Sequence, residues 1–301
     1  MEFESLEHFK SIATYHFFVV PADTNYLLSR WMLANGFSPD DWWQAAQAIE
    51  KYLKGGLVAN NKRAIESVKG NGHDLVRLYE RHAEVFDGLP NLILTQPPDW
   101  GSDYWYDDTV ETFLARVQRN GDPNVRYGLL SWDHRRCDYS KLDQLVYFLR
   151  RRTGPLTCEL TEDWQLAPNW QALKGDTIWA ALEKEPQYSP YGPIEKLNEP
   201  LPFPGHSRGD ILHLRNHAFR RADDDLAHAA PGYMGLTLGA AKNSLFSQWM
   251  PHLKAPTLKP ILGLGLRWVL DYVRLPKITF TETAPLNLPD FIDGRLKLEG
   301  Y

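Results

Sequence analysis

The run from Asp40 to Asn60, DDWWQAAQAIEKYLKGGLVAN, most narrows the folds open to this chain. Apolar residues recur at Trp42, Ala45, Ala46, Ile49, Tyr52 and Leu53, the period of a helix with one buried face. Ser38 can cap this helix, Pro39 suits its first position, and Asp41 stands where a capping-box acid belongs. Phe37 and Trp42 are placed as the two halves of a hydrophobic staple. Ala45, Ala46 and Ala48 are small enough to admit a second helix at close range, whereas Lys51 and Lys54 lie largely off the apolar stripe. The pattern predicts the central helix of a bundle.

The flanking sequence is consistent with that reading. Pro21 opens an earlier helical pattern with Asp23 or Thr24 as its cap, and Asn35-Gly36 closes it. A short turn then joins two helices, for which an antiparallel hairpin is the simplest arrangement. Residues 1–20 fit a short helix or a strand. Beyond a polar connection at 60–72, HDLVRLYERHAEVF places Leu75, Leu78, Tyr79, His82 and Phe86 on one face. Leu92-Ile93-Leu94 is weakly strand-like, a helix is expected over roughly 107–119, and another after Tyr139. Residues 154–206 are rich in proline and read as irregular, with a short helix at 174–184 and a strand near 156–160. Helices are expected from Ser207 to about Ala222, near 237–249 and near 257–274, and KITFTET has the alternation of a strand. The expected class is mainly α. The expected division is a bundle over 1–153 and a helical extension over 154–301.

Composition excludes several classes. A formal net charge of -5 makes the 301-residue chain no general magnet for nucleic acid, so any such binding must use a local patch. Hydrophobic residues make up 43 % and the mean hydropathy is -0.43, as in a soluble globular protein. Cys137 and Cys158 form no CxxC pair, which points to a reducing, cytoplasmic setting. No run is long and apolar enough for a bilayer, so no membrane association is expected. No P-loop, Rossmann fingerprint or nucleophile elbow is present, and no cofactor is expected.

Three segments together resemble the HEPN superfamily over roughly residues 20–130. Ala45-Ala46-Gln47-Ala48-Ile49-Glu50-Lys51-Tyr52-Leu53-Lys54 is similar to that family's small residues followed by an acid–Lys pair and a second Lys. Gly72-His73-Asp74-Leu75 is similar to its His-Asp-Leu helix entry. Val125-Arg126-Tyr127-Gly128 is similar to its Arg-Tyr-Pro turn, with Gly in place of Pro. The resemblance implies an all-α up-and-down bundle, frequently a homodimer. It also implies a role in RNA cleavage, or as the partner of a nucleotidyltransferase or an antitoxin.

HEPN ribonucleases resemble one another in an Arg followed, after four to six residues, by a His. The imidazole would serve as general acid–base and the guanidinium would stabilise phosphate charge. Arg77/His82, Arg208/His213 and Arg221/His228 have that spacing, but roughly two such pairs are expected by chance, so the motif alone carries little weight. Arg77 and His82 fall on different helical faces, and Arg208 opposes a helix dipole. Arg221 and His228 are the best catalytic pair, although Asp223, Asp224 and Asp225 between them would repel a phosphate backbone. Asp210, His213 and His217 share one helical face at a metal-capable spacing, without the glutamate of HExxH. The clusters Arg135-Arg136 and Arg150-Arg151, with Arg126 in its turn, form the candidate nucleic-acid surface, where Trp132, Tyr139 and Tyr147 could add stacking. A solvated helix cap is the plainer reading of Arg150-Arg151. The function expected from the sequence is binding of RNA or a nucleotide. A metal-independent ribonuclease and a purely regulatory partner are the alternatives.

Overall fold

The computed structural model describes residues 6–61, 73–85, 91–98, 100–161, 168–192, 253–258 and 285–298, with Leu212, Asn216, Ala218, Phe219, Gly263, Leu266, Leu270, Thr279 and Phe280. The architecture is mainly α. Among the described residues no helix is long and apolar enough to cross a membrane. The chain forms two compact units, one of Met1–Gln118 with Arg136–Gly235 and one of Arg119–Arg135 with Leu236–Tyr301.

In the first unit, α1 (Leu6–Thr14) passes through a π-helical turn (Tyr15–Val19) into α2 (Val20–Ala34) without a break. Pro21 therefore lies inside a continuous helical run rather than opening one. Proline lacks an N–H and crowds the carbonyl four residues back, and the wider π turn immediately before it relieves both problems. Asp23 is buried and caps nothing. At the far end Gly36 takes φ +76° and its N–H bonds Leu33 O at 3.0 Å, the C-cap expected of Asn35-Gly36.

Helix α3 (Asp40–Ala59) is the central element. Tyr52 on α3 reaches Asp23 on α2, and Tyr139 contacts both Ser29 on α2 and Asp41 on α3, so α2 and α3 run antiparallel. Of the predicted stripe Trp42, Ala45, Ile49, Tyr52 and Leu53 are fully buried, whereas Ala46 is half-buried and Ala48 takes a place in the core instead. The helix start differs from expectation. Phe37 stacks on Trp31 with ring centroids 5.5 Å apart and remains 53 % exposed, while Trp42 packs against Tyr139. No Phe37–Trp42 staple forms, because the Trp42 ring turns into the bundle.

Helix α4 (Leu75–Val85) is capped by Asp74, whose Oδ1 accepts the Arg77 N–H at 3.1 Å. Residues 91–97 form neither helix nor strand. Instead, the Gln144 side-chain amide accepts from Thr95 N–H at 2.9 Å and donates to Thr95 O at 2.8 Å, taking the place of a neighbouring strand. Helix α5 (Val110–Asn120) is capped by Thr109. Helix α7 (Asp138–Arg151) lines the core with Tyr139, Leu142, Asp143, Leu145, Val146, Leu149 and Arg150. Beyond it, Leu156, Cys158, Leu160, Leu173, Ile178, Ala181, Leu182 and Tyr188 form a small core beneath α8 (Ile178–Lys184). Glu159 and Thr177 make an isolated antiparallel bridge there, where the sequence predicts a strand. Residues 154–192 thus belong to the same compact unit as the bundle.

The second unit contains α6 (Pro123–Arg126), capped by Asp122 Oδ1 on the Asn124 N–H at 2.7 Å. Gly128 closes it at φ +69°. Strand β1 (Thr279–Phe280) pairs antiparallel with β2 (Pro285–Leu286), inside the predicted KITFTET strand. Helix α9 (Leu288–Leu298) is tied down by Arg295, which donates to Ala255 O at 2.7 Å. Of the predicted helix at 207–222 only Leu212, Asn216, Ala218 and Phe219 are described, and only Leu212 of these is helical; the predicted helix at 237–249 and most of 257–274 lie outside the described residues.

Candidate functional site

A chain of buried charged and phenolic groups runs through the interface of α2, α3 and α7. Asp23, Tyr26 and Arg30 recur at i, i+3 and i+7 on α2. Tyr139, Asp143, Val146 and Arg150 share the facing stripe of α7. Arg150 Nε donates to Asp23 Oδ1 at 2.9 Å and its Nη2 to Oδ2 at 3.1 Å, and Tyr52 donates to the same carboxylate. Arg30 pairs with Asp143, which also accepts from Tyr26 Oη at 2.6 Å. Asn216 Nδ2 donates to Tyr26 Oη at 2.9 Å. Tyr139 Oη donates to Asp41 Oδ2 at 2.7 Å.

Burial raises the phenols of Tyr26, Tyr52 and Tyr139 well above their ordinary value, with the adjacent carboxylates acting in the same direction. They are proton donors that hold carboxylates in place, unsuited to leave a proton on a substrate. Among the described residues no arginine pairs with Asp41, unlike Asp23 and Asp143. Burial pushes its carboxyl up to about 6, although Tyr139 and Ser38 pull it down by hydrogen bonding. Ser38 thus interacts with the acid rather than capping α3, which has no side-chain cap.

A second buried group ties the 100–108 loop to α7. Lys141, fully buried, bonds Tyr106 O and Asp108, and its ammonium lies 4.8 Å from the centre of the Trp105 ring. Arg116 joins Asp108 at 2.6 Å to Asp138 at 2.7 Å. Arg116 and Lys141 together hold the Asp108 carboxyl below its ordinary value despite its desolvation. On the outer side of this loop the Arg136 guanidinium sits 4.8 Å over the Tyr104 ring, and Tyr106 is 48 % exposed. Arg136 and Tyr104 therefore form a half-buried cation–aromatic pair, on a loop fixed by buried ion pairs that also carries the exposed Tyr106.

The sequence-predicted residues fall in different places. Arg150 and Arg151 are 3 % and 9 % exposed and form no surface patch. Arg151 donates to Tyr188 O at 2.7 Å and Glu185 O at 3.0 Å, and Arg150 to Ser189 Oγ at 2.9 Å and Gly192 O at 2.6 Å. The expectation of a solvated cap or RNA surface there is corrected by the 182–192 segment, which covers the end of α7. Arg135 and Arg136 are half-buried. Arg126 is exposed in the second unit, next to Tyr127. Tyr139 is a core residue and Tyr147 bonds Pro186 O at 3.0 Å, so neither offers a stacking face beside Arg136. Arg221, His228, Asp210, His213 and His217 lie outside the described residues. Arg77 is exposed and His82 is buried, on opposite faces of α4 as their spacing implies. Burial, with Arg152 adding to it, pulls His82 down to about 3. Among the described residues no group of three His, Cys, Asp or Glu side chains could hold a metal ion.

Sequence reasoning missed the Asp23–Arg150 and Arg30–Asp143 pairs and the Tyr104 surface. A signal for the pairs was present. Asp23 and Arg30 share a helical face with the apolar Tyr26, and Asp143 and Arg150 share one with Val146, so each ion sits on a face destined for burial.

His73 and Glu50, from two separate segments, meet in space. His73 Nδ1 lies 2.9 Å from Glu50 Oε2, and Lys54 bonds the other oxygen of that carboxylate. Compared with known proteins, the chain matches no family model, no curated sequence and no solved structure.

Proposed function

We propose that the chain is a HEPN-like, non-catalytic module that binds single-stranded RNA or a nucleotide, as a homodimer, on the Tyr104–Tyr106–Arg136 surface. The observation that carries this reading is the Arg136 guanidinium 4.8 Å over the Tyr104 ring, with Tyr106 exposed two residues further along the same loop. Stacking on aromatic rings with a cation at hand is how bases are held without base-specific hydrogen bonds. The exposed Asp103 and Asp107 on the same loop limit the number of phosphates that can approach. The ligand is therefore held by stacking with one or two phosphate contacts. A non-catalytic role is supported by Asp23, Asp108, Asp138 and Asp143, whose carboxylates are held by arginines, a lysine and tyrosines of the same chain.

The test is anisotropy of a labelled oligouridylate across a salt series. Binding should weaken with a log–log slope of roughly -0.7 to -1.4, the value for one or two phosphates on a single strand. Arg136→Ala and Tyr106→Ala should each weaken it by on the order of tenfold or more, as loss of a stacking or cationic contact of about 1–3 kcal/mol implies. Binding that persists unchanged in both variants removes the surface from the reading. Cleavage of RNA in EDTA that is lost in Arg221→Ala and His228→Ala would replace it by the ribonuclease alternative.

A further inference from the structure

A separate polar cluster lies between α2 and α3. Lys51 on α3 donates to Asn25 Oδ1 on α2, and Asn25 Nδ2 donates to Gln44 Oε1, one heptad earlier on α3. The direction of these bonds is fixed by chemistry. An ammonium only donates, so the Asn25 oxygen must face Lys51 and its nitrogen must face Gln44. Gln44 in turn must present its oxygen to Asn25 and its Nε2 outward. Both amide oxygens are thereby engaged. Two N–H of Lys51, two of Gln44 and one of Asn25 are left over, and the described residues offer them no acceptor.

All three side chains are partly buried, so these donors are incompletely solvated yet reachable. Burial lowers the Lys51 pKa. The Glu50 carboxylate acts on Lys51 in the opposite direction, and its own two oxygens are bonded by Lys54 and His73. Lys51 thus sits among surplus donors with a neutral carbonyl as its partner, whereas Lys54, Lys141 and Lys184 each have a carboxylate.

We infer that Asn25, Gln44 and Lys51 form a binding site for a phosphate group, presented by a free phosphate or by a nucleotide. A tetrahedral oxyanion supplies acceptors in several directions at once, which suits a cluster with one positive charge and five spare N–H donors against one spare lone pair on each amide oxygen. The site uses none of the residues of the stacking surface, and it stands or falls independently of that reading.

The test is titration calorimetry of the full chain with inorganic pyrophosphate and, separately, with uridine monophosphate, in phosphate-free buffer. Wild type should bind pyrophosphate. Lys51→Met keeps the aliphatic stem and removes the charge, and should weaken binding by on the order of tenfold to a hundredfold, as expected for charge-assisted hydrogen bonds. Gln44→Leu should weaken it less. Arg136→Ala should leave pyrophosphate binding unchanged, which separates this site from the stacking surface. Uridine monophosphate binding that is lost in Lys51→Met assigns a nucleotide as the source, and pyrophosphate binding alone assigns a free phosphate. Absence of pyrophosphate binding to folded wild type, or equal binding by a Lys51→Met variant with an unchanged melting curve, would overturn the proposal.

Discussion

Asp23 and Arg150 stand 127 residues apart in sequence and form a two-point ion pair, 2.9 and 3.1 Å, with both side chains buried. The pair joins α2 to α7. Removing one member of a buried pair leaves a charge without a partner, which typically costs about 3–5 kcal/mol. Arg150→Met and Asp23→Leu should each lower stability by that order in urea unfolding. The double variant should recover part of the loss, because no lone ion remains, while Tyr52 Oη, Ser189 Oγ and Gly192 O still lose a partner. Strictly additive losses would show that the two groups act separately.

The same pair shows how much the sequence revealed. The helical period of 40–59 predicted a buried face, and Trp42, Ala45, Ile49, Tyr52 and Leu53 are on it. His82 was legible as a core residue because Leu75, Leu78 and Tyr79 share its side of α4. The role of Asp23 was not legible, because an acid two residues after Pro21 has the local signature of a cap. Nor was that of Arg150-Arg151-Arg152, because cations at the end of a helix are stabilised by the dipole whether or not a later segment covers them. Local pattern reports which face of an element is apolar; it does not report which distant segment will cover its end. The stacking surface was only half visible: Arg136 was singled out, whereas its aromatic partner proved to be Tyr104, thirty-two positions earlier in the chain.

Gly55 and Gly56 occupy the last turns of α3, where alanine would ordinarily add about 1 kcal/mol of helix stability over glycine. Here a Cβ on Gly56 would come within 2.6 Å of His82 Nε2, and one on Gly55 within 2.7 Å of Thr153 Cγ2 and 2.8 Å of Phe18 Cβ. His82 is buried and cannot swing into solvent. Overpacking of this kind costs about 1–3 kcal/mol, so the steric effect exceeds the propensity gain. Gly56→Ala should therefore lower the melting temperature, while alanine at the exposed Gly294, where a Cβ meets nothing, should not. A stabilised Gly56→Ala would mean that α3 and α4 stand further apart than described.

Asp41 sets a pH dependence of unusual sign. Its carboxyl is raised to about 6 in the fold, above the ordinary carboxylate value. The folded chain therefore holds a proton that the unfolded chain has lost between about pH 4 and 6. This contribution is fully present below about pH 4 and is lost as pH rises through 6. His82 acts oppositely: its folded pKa of about 3 removes stability as pH falls below its unfolded value. Asp41→Asn isolates the first effect, since the amide oxygen can still accept from Tyr139. The variant should be more stable than wild type by about 2–3 kcal/mol at pH 7.5, with most of that advantage gone at pH 4.5. Urea midpoints at the two pH values decide it, and an equal difference at both would rule out Asp41 as the titrating group.

Arg151 fixes the segment after α8 by reading its backbone. Its guanidinium donates to Leu182 O at 3.3 Å, Glu185 O at 3.0 Å and Tyr188 O at 2.7 Å, and Tyr147 adds a bond to Pro186 O at 3.0 Å. Main-chain carbonyls do not depend on side-chain identity, so this fastening should tolerate substitutions at Glu185 and Gln187 but not at Arg151. Burial lowers the Arg151 pKa, and the pairing with carbonyls supplies no countercharge. Arg151→Met removes three donors from buried or half-buried oxygens, each lost bond to a charged group being worth about 1.5–3 kcal/mol before relaxation. The segment 182–192 should then exchange its amide hydrogens faster and be cut by proteases ahead of the bundle. Glu185→Ala should leave both rates unchanged. A segment equally protected in Arg151→Met would transfer the fastening to Tyr188 and the small core beneath α8.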